Sequence, residues 1–570
     1  MLLHQYPLIV KDLDNMGLDI ENIKNIITEI PFVKQIHSIE QKEFCILGEF
    51  EVEFDGLENS LKFDFRIAPQ YPLKTHDSES ITFINKELIA FSHVMSEGNI
   101  CIHTSHNTNL KEKLIIDFNS LKNWIIKYYI NKDNDNKYEH IVINDSPVND
   151  KYYSYIFTEC DNSFSKGEYG DVHITSLNNG IYKDKIMFNH LIQGFTSIHE
   201  EEKECQWSSF YKSKSKTVNG FYYFTQDAPA THGKFGFSSY QELSQLLSTD
   251  FLNQLHEYEE RNLKENKDAV IPLFLGYKIN ETEIHWQVML IKVGDFPLKG
   301  ISRKIDGIKT GKWDSELIDK NITWGLTRNT SYNYFFGRGV FTDELTSGKI
   351  LIIGVGAIGS MIAQTLTRCG CKHIDFVDYD IKEPENVCRS EYKIANGITA
   401  KTQELNKNLC EISPFINSTP LNNDYFEYLV KSFFTDKAYR KNIEQDLNNY
   451  DLIIDCTTDN DLMYVLDSLN LKADMINISI TNHAKEIVCA FYPNIYKFVN
   501  NQFSNVLIND THDLYEPTGC WSPTFKASYN DINILVQFAL KHLNELMLNN
   551  KPKNNFVIKN FDNNLKIVEF

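Results

Sequence analysis

The sequence predicts a multidomain protein that combines α/β and α+β folds. Its 570 residues are enough for about three or four domains of ordinary size. Residues 349–380 contain a strand-like run, a glycine-rich turn, a helical pattern and a second strand-like run, which is the unit of an α/β domain. Residues 44–84 instead hold runs with alternating polar and apolar side chains, which is typical of an antiparallel sheet. A polar, turn-rich stretch at residues 131–149 lies between the two patterns, and we predict domains at residues 1–145, 146–315 and 316–570.

The composition excludes several classes of protein. A net charge of −20 disfavours a general nucleic-acid-binding surface, because nucleic acid is itself strongly negative. The apolar runs are of strand length and are soon interrupted by charge, so we expect no membrane span and no membrane partner. The first residues lack a basic start and a small-residue cleavage site, which predicts a cytoplasmic protein. Its 11 cysteines include no C-x-x-C pair and would be free thiols in a reducing cytosol.

The N-terminal part reads as a helix followed by a meander of strands. Apolar residues recur at helical spacing within residues 13–30, and Asp19 is a candidate N-cap. A second helix is predicted from about residue 118, where Leu121, Trp124 and Ile125 have helical spacing. The predicted strands between the two helices are residues 44–54, 61–67 and 80–84.

A short motif around Cys101 adds a family resemblance to this pattern. The Tyr71-Pro72 turn, the run Gly98-Asn99-Ile100-Cys101 and the helical Trp124 together resemble a ubiquitin-conjugating (UBC) domain. The resemblance implies that residues 1–145 form a UBC-like α+β domain and that Cys101 accepts a thioester. A cysteine with that role needs an accessible thiolate beside an electropositive group.

The oxyanion donor of this site is left open by the sequence. The UBC family usually has His-Pro-Asn several residues before the cysteine, and the asparagine is the donor. The corresponding stretch here, residues 91–95, reads FSHVM and has no Pro-Asn. His93, Asn99 and His103 are therefore all candidates.

Residues 146–315 carry no catalytic pattern. Neighbouring strands are predicted at residues 271–279 and 284–292, and a charged amphipathic helix at residues 240–261. We interpret this part as a middle or linker domain.

The glycine-rich turn within residues 349–380 predicts a nucleotide site. Gly354, Gly356 and Gly359 follow a buried-strand run and open a helix, so the backbone can approach a phosphate and the helix N-terminus can supply N–H donors. Asp378 ends the second strand, where an acid suits a ribose hydroxyl. These features alone are typical of a dinucleotide site.

The residues that follow favour a triphosphate instead. Arg389 and Lys401 offer cationic side chains for additional phosphate charge. Asp459 comes just after a predicted strand at residues 450–454 and can hold a metal ion. A dinucleotide would leave these residues without a role.

The order of these residues resembles the ubiquitin-activating (ThiF/MoeB-like) adenylation family. In that family a glycine motif is followed by D-x-D, N-x-x-R, a Lys and D-N. The resemblance implies a Rossmann-like domain over residues 316–570 that binds ATP and Mg²⁺ and forms a homodimer. It also implies an arginine that reaches the triphosphate from before the glycine turn, for which Arg338 is the first candidate and Arg328 the second. Ser390 departs from the family, which usually has Gln there. The matching residues are Gly354, Gly356 and Gly359, Asp378 and Asp380, Asn386 and Arg389, Lys401, and Asp459 with Asn460.

Cys520 is the candidate for the first covalent carrier. It follows Gly519 and precedes a helical pattern, where a helix N-terminus would lower the pKa of a thiol. It resembles the transfer cysteine of many activating enzymes. Cys456 and Cys489 lie in buried-strand contexts and are interpreted as core residues.

Together, the two resemblances predict an ATP-dependent protein-conjugating enzyme. A protein C-terminal carboxylate would be adenylated, transferred to Cys520, then to Cys101, and finally joined to a target lysine. Fusion proteins of the bacterial CBASS antiphage systems have this domain order, which implies a cGAS/DncV-like nucleotidyltransferase as the activated protein. Three alternatives are a sulfur-carrier-protein adenylyltransferase, an NAD-dependent oxidoreductase and a non-catalytic adaptor.

Overall fold

A computed structural model describes most of the chain and places it in three principal sheets. None of the described helices is both long and apolar enough to cross a membrane. The described residues are 19–76, 78–133, 141–160, 163–216, 218–263, 269–281, 283–305, 308–507, 527–561 and 564–570.

The N-terminal region (residues 19–133) is an antiparallel five-stranded sheet packed against two helices. The strands pair in chain order, and α2 continues into one π-helical turn at Ile125–Ile130. A cluster of buried phenylalanines, including Phe50, Phe83 and Phe118, joins the sheet to α2. The elements are α1 (Ile20–Thr28), β1 (Val33–Lys42), β2 (Cys45–Val52), β3 (Leu61–Ile67), β4 (Ile81–Ile84), β5 (Asn99–Ile100) and α2 (Leu110–Trp124).

Most of the predicted N-terminal elements are present, with two differences. Asp19 caps α1 as predicted, since its carboxylate accepts from the Glu21 N–H at 3.1 Å. Strand β1 was not predicted, because its side chains are exposed or half-exposed and mostly polar. Helix α2 begins at Leu110, after the N-cap Asn109, and not near residue 118. The apolar pattern misses its first turns because Lys113 and Asp117 are buried as an ion pair within the apolar face. A pattern of apolar residues alone cannot detect such a turn.

The middle region contains a nine-stranded mixed sheet with α4 packed on one face. The two predicted strands are found at Val270–Lys278 and Ile284–Lys292, paired antiparallel. The predicted helix at residues 240–261 is a 3₁₀ segment, Tyr240–Gln245, followed by α4. The elements are β6 (Lys151–Phe157), β7 (Tyr169–Ser176), β8 (Gly180–Tyr182), β9 (Lys185–Ser197), β10 (Glu202–Glu204), α3 (Ser209–Lys212), β11 (Val218–Gln226), β12 (Ala230–Thr231), β13 (Phe235–Gly236), α4 (Thr249–Asn262), β14 (Val270–Lys278), β15 (Ile284–Lys292), β16 (Leu298–Ile305), β17 (Ile308–Leu317) and β18 (Leu326–Asn329).

The C-terminal region is an eight-stranded sheet with helices on both faces. Five strands run parallel in the order β21-β20-β19-β22-β23, and β24, β25 and β26 extend the sheet in antiparallel fashion. The elements are α5 (Tyr332–Phe336), α6 (Asp343–Ser347), β19 (Lys349–Ile353), α7 (Ala357–Arg368), β20 (His373–Val377), α8 (Lys401–Ile412), β21 (Asn417–Pro420), α9 (Asp424–Ser432), α10 (Lys437–Leu447), β22 (Leu452–Asp455), α11 (Asn460–Asp467), β23 (Asp474–Ile480), β24 (Glu486–Phe491), α12 (Ile495–Leu507), α13 (Tyr529–Leu548), β25 (Phe556–Phe561) and β26 (Asn564–Glu569).

The predicted fold class is confirmed, with an α/β C-terminal region built on the predicted strand–turn–helix–strand unit. The domain boundaries at residues 145 and 315 stay predictions. Strand β18 lies beyond residue 315 in the chain, yet it pairs with β6 of the middle sheet.

The middle region contacts both of its neighbours. Toward the C-terminal region, the Ser208 N–H donates to the Pro414 carbonyl at 2.7 Å, and Trp207 stacks on Phe415 with ring centroids 6.1 Å apart. Toward the N-terminal region, the Lys234 ammonium group donates to the Phe91 carbonyl at 2.5 Å. The middle region therefore contacts both the N-terminal and the C-terminal region.

Helix α7 packs very closely on the turn that precedes it. A Cβ atom built on Gly359 would lie 2.0 Å from the Gly354 carbonyl oxygen, which is far inside van der Waals contact. The glycine at this position therefore sets how near α7 can approach β19.

We predict that Gly359→Ala destabilises this part of the chain by about 1–3 kcal/mol, because the new methyl group overpacks the contact between α7 and the turn. Hydrogen exchange of the β19 amides measures the effect. Gly339→Ala is the control, because a Cβ atom there meets nothing within 4 Å. Equal protection of β19 in both variants would contradict this account of the packing.

A buried ion pair braces the loop that follows β20. The Lys382 ammonium group donates to the Glu404 carboxylate at 2.5 Å, and both side chains are at most 2% exposed. Glu404 also accepts from the Lys393 N–H at 2.7 Å and from the Asn396 amide at 3.0 Å. Burial opposes ionisation of Glu404, but these hydrogen bonds outweigh it and lower the pKa of its carboxyl group below the ordinary glutamate value.

We predict that Glu404→Gln costs about 3–5 kcal/mol of stability near neutral pH, because Lys382 would be left as a buried, unpaired cation. The pKa of Glu404 is lower in the folded than in the unfolded protein, so its contribution is complete above the unfolded value. It is lost as the pH falls through the folded value. The difference between variant and parent in urea unfolding should therefore shrink below about pH 4.

The exposed Glu411 provides the control for this experiment. Its carboxylate lies 3.8 Å from Lys393 and 4.0 Å from Lys407, and 44% of the side chain is exposed. Glu411→Gln should change stability by less than about 1 kcal/mol at any pH. A pH-independent loss in Glu404→Gln would show that packing, not charge, is the cause.

Candidate functional site

The site lies where the parallel strands of the C-terminal region end. Strands β19, β20 and β22 are neighbours that run in the same direction, so their carboxyl ends lie at one edge of the sheet. The chain moves outward from β19 to β20 and β21, then crosses back to β22 on the other side of β19. Ligands of open α/β sheets bind at such a switch point.

The glycine turn after β19 has the geometry that the sequence predicts. Gly354 has φ +83°, a conformation that side chains disfavour, and its N–H donates to the Val377 carbonyl at 2.9 Å. Gly356 is the N-cap residue of α7 and has open space where a Cβ atom would stand. The turn thus leaves room for a ligand at the N-terminus of α7.

Asp378 ties the glycine turn to the loop after β20. One carboxylate oxygen accepts from the Val355 N–H at 2.8 Å, and the other accepts from the Asp380 N–H at 2.8 Å. Burial raises the pKa of Asp378, although both hydrogen bonds and the charge of Lys401 oppose that shift. The carboxylate therefore holds two walls of the site together.

Lys401 is held beside Asp380. Its ammonium group donates to the Asp380 carboxylate at 2.7 Å, and its backbone N–H donates to the Asp380 carbonyl at 3.1 Å. The Lys401 side chain is 10% exposed, whereas that of Asp380 is 47% exposed. The cation at the start of α8 is thus fixed at the wall of the site.

A cavity of about 770 Å³ brings most of the predicted residues together. It opens along the carboxyl ends of β19, β20 and β22. The predicted residues among those that line it are Gly354, Gly356, Asp378, Asp380, Lys401 and Asp459.

A second, smaller cavity of about 120 Å³ shares Gly356 and Lys401 with the first. Asn386 and Arg389 line it, and both are half-buried. The Asn386 side-chain oxygen accepts from the Glu383 N–H at 3.0 Å, which fixes the short 3₁₀ turn that carries Arg389. Gly359, the third predicted glycine, packs behind the turn. It is not among the described residues that line the two cavities.

Asp459 has a structural role besides its place at the cavity. It is the N-cap of α11, and one carboxylate oxygen accepts from the Asp461 and Leu462 N–H groups at 2.9 and 3.0 Å. Among the described residues, no group of three or more His, Cys, Asp or Glu side chains is placed to hold a metal ion. A metal at Asp459 would therefore need further ligands of other kinds, such as substrate, water, hydroxyl or backbone oxygens.

Several lining residues were not predicted. Helix α9 and the residue before it contribute Asn423, Phe426 and Lys431 to the larger cavity. Tyr392 lines the smaller cavity, and its hydroxyl group donates to the Val355 carbonyl at 2.5 Å. None of these belongs to a short motif. The α9 residues reach the larger cavity through the crossover between β21 and β22, whereas Tyr392 lies in the segment between β20 and α8.

The two arginines suggested for the triphosphate lie elsewhere in this single chain. Arg338 is exposed between α5 and α6, and Arg328 is exposed on β18, where it donates to the Thr327 carbonyl at 2.7 Å. Neither is among the described residues that line the cavities. Their predicted role stays a prediction.

Cys101 directly follows β5 in the N-terminal region and is half-buried. Its N–H donates to the His93 carbonyl at 2.7 Å. Burial raises the pKa of the thiol, and the positive charge of Lys234 from the middle region lowers it. No sequence pattern indicated Lys234, because it lies more than a hundred positions from Cys101 in a part without a motif.

A buried ionic network anchors the loop after Cys101. Glu79 accepts from the Thr104 N–H at 2.8 Å, and Lys113 donates to the Thr104 hydroxyl group at 2.7 Å. Lys113 also pairs with Asp117 and with Glu79. The turn of α2 that the apolar pattern missed therefore holds the cysteine loop in place.

The oxyanion donor is still open among the three candidates. His93 packs its ring against Tyr128 with centroids 4.6 Å apart, Asn99 is paired in β5, and His103 is exposed.

Cys520, the predicted first carrier, lies outside the described residues. Cys489 is buried in β24, as predicted for a core residue, and burial raises its pKa.

Comparison with known proteins finds a family match over the region that contains the larger cavity. Residues 327–487 match the model of the ThiF family. The "ATP-dependent ubiquitin transferase-like protein Cap2" of Enterobacter hormaechei subsp. hoffmannii (strain UCI 50) is 24% identical over 363 residues. That match covers 59% of this chain and 58% of the relative.

Two further similarities are confined to smaller parts of the chain. The "Adenylyltransferase and sulfurtransferase UBA4" of Scheffersomyces stipitis (strain ATCC 58785 / CBS 6054 / NBRC 10063 / NRRL Y-11545) is 25% identical over 231 residues, which cover 38% of this chain and 47% of that protein. A crystal structure of E. coli MccB with ATP matches 40% of this chain and 64% of its own, with 17% identity and a TM-score of 0.29. The chain thus spans only about half the length of the curated relatives it matches.

These findings confirm the predicted similarity to a ThiF-containing, ubiquitin transferase-like protein. Residues 327–487, the part that matches the ThiF model, include the glycine turn, Asp378, Lys401 and Asp459.

Proposed function

We propose that the protein uses ATP to activate the C-terminal carboxylate of another protein and conjugates it to an amine. The observation that carries this proposal is the single cavity that unites the glycine turn, Asp378, Asp380, Lys401 and Asp459. The ThiF-type domain and the similarity to Cap2 support the same chemistry in general terms.

The residues of the two cavities fit a nucleoside triphosphate. A volume of about 770 Å³ suits a ligand of nucleotide size. The open N-terminus of α7 at Gly356 offers N–H donors to a phosphate, and Lys401 and Arg389 supply positive charge near the same residue. Asp378 and Asp380 are placed at the strand end where a ribose binds in related folds.

Asp459 would hold Mg²⁺, which is commonly bound by one or two carboxylates together with substrate phosphates and water. One Asp459 oxygen caps α11, which fixes the carboxylate, and Asp459 lines the cavity. When bound, the ion would neutralise phosphate charge.

The proposed reaction has four steps. The substrate carboxylate attacks the α-phosphorus of ATP and pyrophosphate leaves. The Cys520 thiolate then attacks the acyl carbon and AMP leaves. The Cys101 thiolate attacks the same carbon and the Cys520 thiolate leaves. Finally, a lysine amine forms the amide bond, Cys101 leaves as a thiolate, and the amine loses a proton.

The partners are proposals by resemblance. The activated protein would be a cGAS/DncV-like nucleotidyltransferase, as the similarity to CBASS fusion proteins implies. A homodimer would let Arg338, which is exposed in the single chain, reach the triphosphate of a second copy. The sulfur-carrier alternative keeps some support, because UBA4 is named as both an adenylyltransferase and a sulfurtransferase.

We predict that Lys401→Met weakens the binding of ATP with Mg²⁺ at least about tenfold, because a nearly buried cation at the phosphate end is lost. Isothermal titration calorimetry measures the affinity. Lys407→Met on the same helix is the control, since its side chain is 57% exposed and lies 4.0 Å from Glu411. Binding of NAD⁺ but not ATP by the parent protein would favour an oxidoreductase.

We predict that Cys520→Ala retains ATP–pyrophosphate exchange but forms no thioester. Cys101→Ala should still form the Cys520 thioester but stop its onward transfer to the target lysine. Mass spectrometry of adducts formed with ATP, Mg²⁺ and the nucleotidyltransferase separates these steps. Cys388→Ala, which removes an exposed thiol, should behave like the parent. A Cys101 adduct in Cys520→Ala would refute the assignment of the first carrier, and a thiocarboxylate product would favour the sulfur-carrier function.

A further inference from the structure

We propose that Lys234 of the middle region is a positioning residue for Cys101, whose thiolate its ammonium group stabilises during transfer. This inference rests on the proposed function, in which Cys101 receives an acyl group. It assigns a role to a region whose sequence contains no catalytic pattern.

Lys234 and Cys101 are bound to the same short segment of the N-terminal region. The Lys234 ammonium group donates to the Phe91 carbonyl at 2.5 Å, and the Cys101 N–H donates to the His93 carbonyl at 2.7 Å. Only Ser92 separates these acceptors along the chain, so both groups are fixed on one turn.

The backbone of Lys234 is held by hydrogen bonds at both its N–H and its carbonyl group. Strands β12 and β13 pair antiparallel, and the Lys234 N–H closes their turn on the Thr231 carbonyl at 3.2 Å. The Val142 N–H donates to the Lys234 carbonyl at 2.6 Å. The ammonium group also lies 5.1 Å from the centre of the Phe235 ring. A lysine held this way loses little further freedom when it faces a thiolate.

The electrostatics of the pair are complementary. Burial raises the pKa of Cys101 and lowers that of Lys234 to about 8, so each group alone resists ionisation. The charge of each opposes that effect in the other, which makes a thiolate–ammonium pair more favourable than either ion alone. This is the electropositive neighbour that a thioester-accepting cysteine requires.

The buried charged groups beneath this loop pair with one another. Lys74 and Lys113 both contact Glu79 beneath Thr104, and Lys113 also contacts Asp117. The titratable ring of His93 packs on Tyr128. Among the described side chains, Lys234 is the one whose charge lowers the pKa of Cys101.

Transfer to Cys101 forms a bond between its sulfur and the acyl carbon and breaks the bond to the sulfur of Cys520, which leaves as a thiolate. Lys234 keeps its proton throughout and offsets the negative charge at Cys101 before the attack. The N-terminal region would thus be a complete transfer site only with the middle region in place.

The first test is the pH dependence of Cys101 alkylation by iodoacetamide in the full chain, followed by mass spectrometry. Lys234→Met should raise the apparent pKa of Cys101 by about one unit, since an opposite charge nearby is removed. Lys234→Arg should restore most of the shift. Lys166→Met, at an exposed ion pair of the middle region, should leave the profile unchanged. An unchanged pKa in Lys234→Met with normal hydrogen-exchange protection of β4 would overturn the inference.

The second test measures acyl transfer in the presence of ATP, Mg²⁺ and the nucleotidyltransferase. Lys234→Met should slow the appearance of the Cys101 adduct severalfold at pH 7, whereas Cys520 is charged at the parental rate. Higher pH should restore the rate in the variant, because more thiolate forms. Acylation of Lys234 itself would overturn the positioning role. A parent protein that never charges Cys101, yet shows the pKa shift, would instead refute the proposed function.

Discussion

The carboxylate of Asp378 is the contact on which the larger candidate site depends. It accepts from the Val355 N–H in the glycine turn and from the Asp380 N–H in the next loop, so it joins the ends of β19 and β20. Asp380 in turn holds the Lys401 ammonium group at 2.7 Å. One chain of hydrogen bonds therefore runs from the turn to the cation, and loss of its first link would free both walls of the cavity.

Buried ion pairs support both candidate sites from beneath. Lys382 and Glu404 brace the loop that carries Asn386 and Arg389, whereas Lys113 and Glu79 fix the loop after Cys101. Buried pairs contribute little net stability compared with apolar packing, but their directional hydrogen bonds define one loop conformation. This fits loops that must hold reactive groups in place.

The middle region links the two sites through specific contacts, not only through its chain connections. Ser208 and Trp207 contact the segment before β21, and Lys234 reaches the segment before Cys101. In the proposed reaction, a sheet between the two sites would set the distance across which the acyl group travels. A tether raises the effective concentration of two thiols only when it lets them meet.

The sequence by itself determined the glycine turn, the strand ends and the ordered set from Asp378 to Asp459, because these residues stand at fixed offsets from strands and helices that local patterns reveal. It missed β1 and the first turns of α2, since exposed polar strands and buried ion pairs break the apolar periodicity. Only the tertiary structure places α9 at the larger cavity, Tyr392 at the smaller cavity and Lys234 near Cys101. Those contacts join segments far apart in the chain, and their geometry depends on how sheets and crossovers pack, which no local pattern encodes.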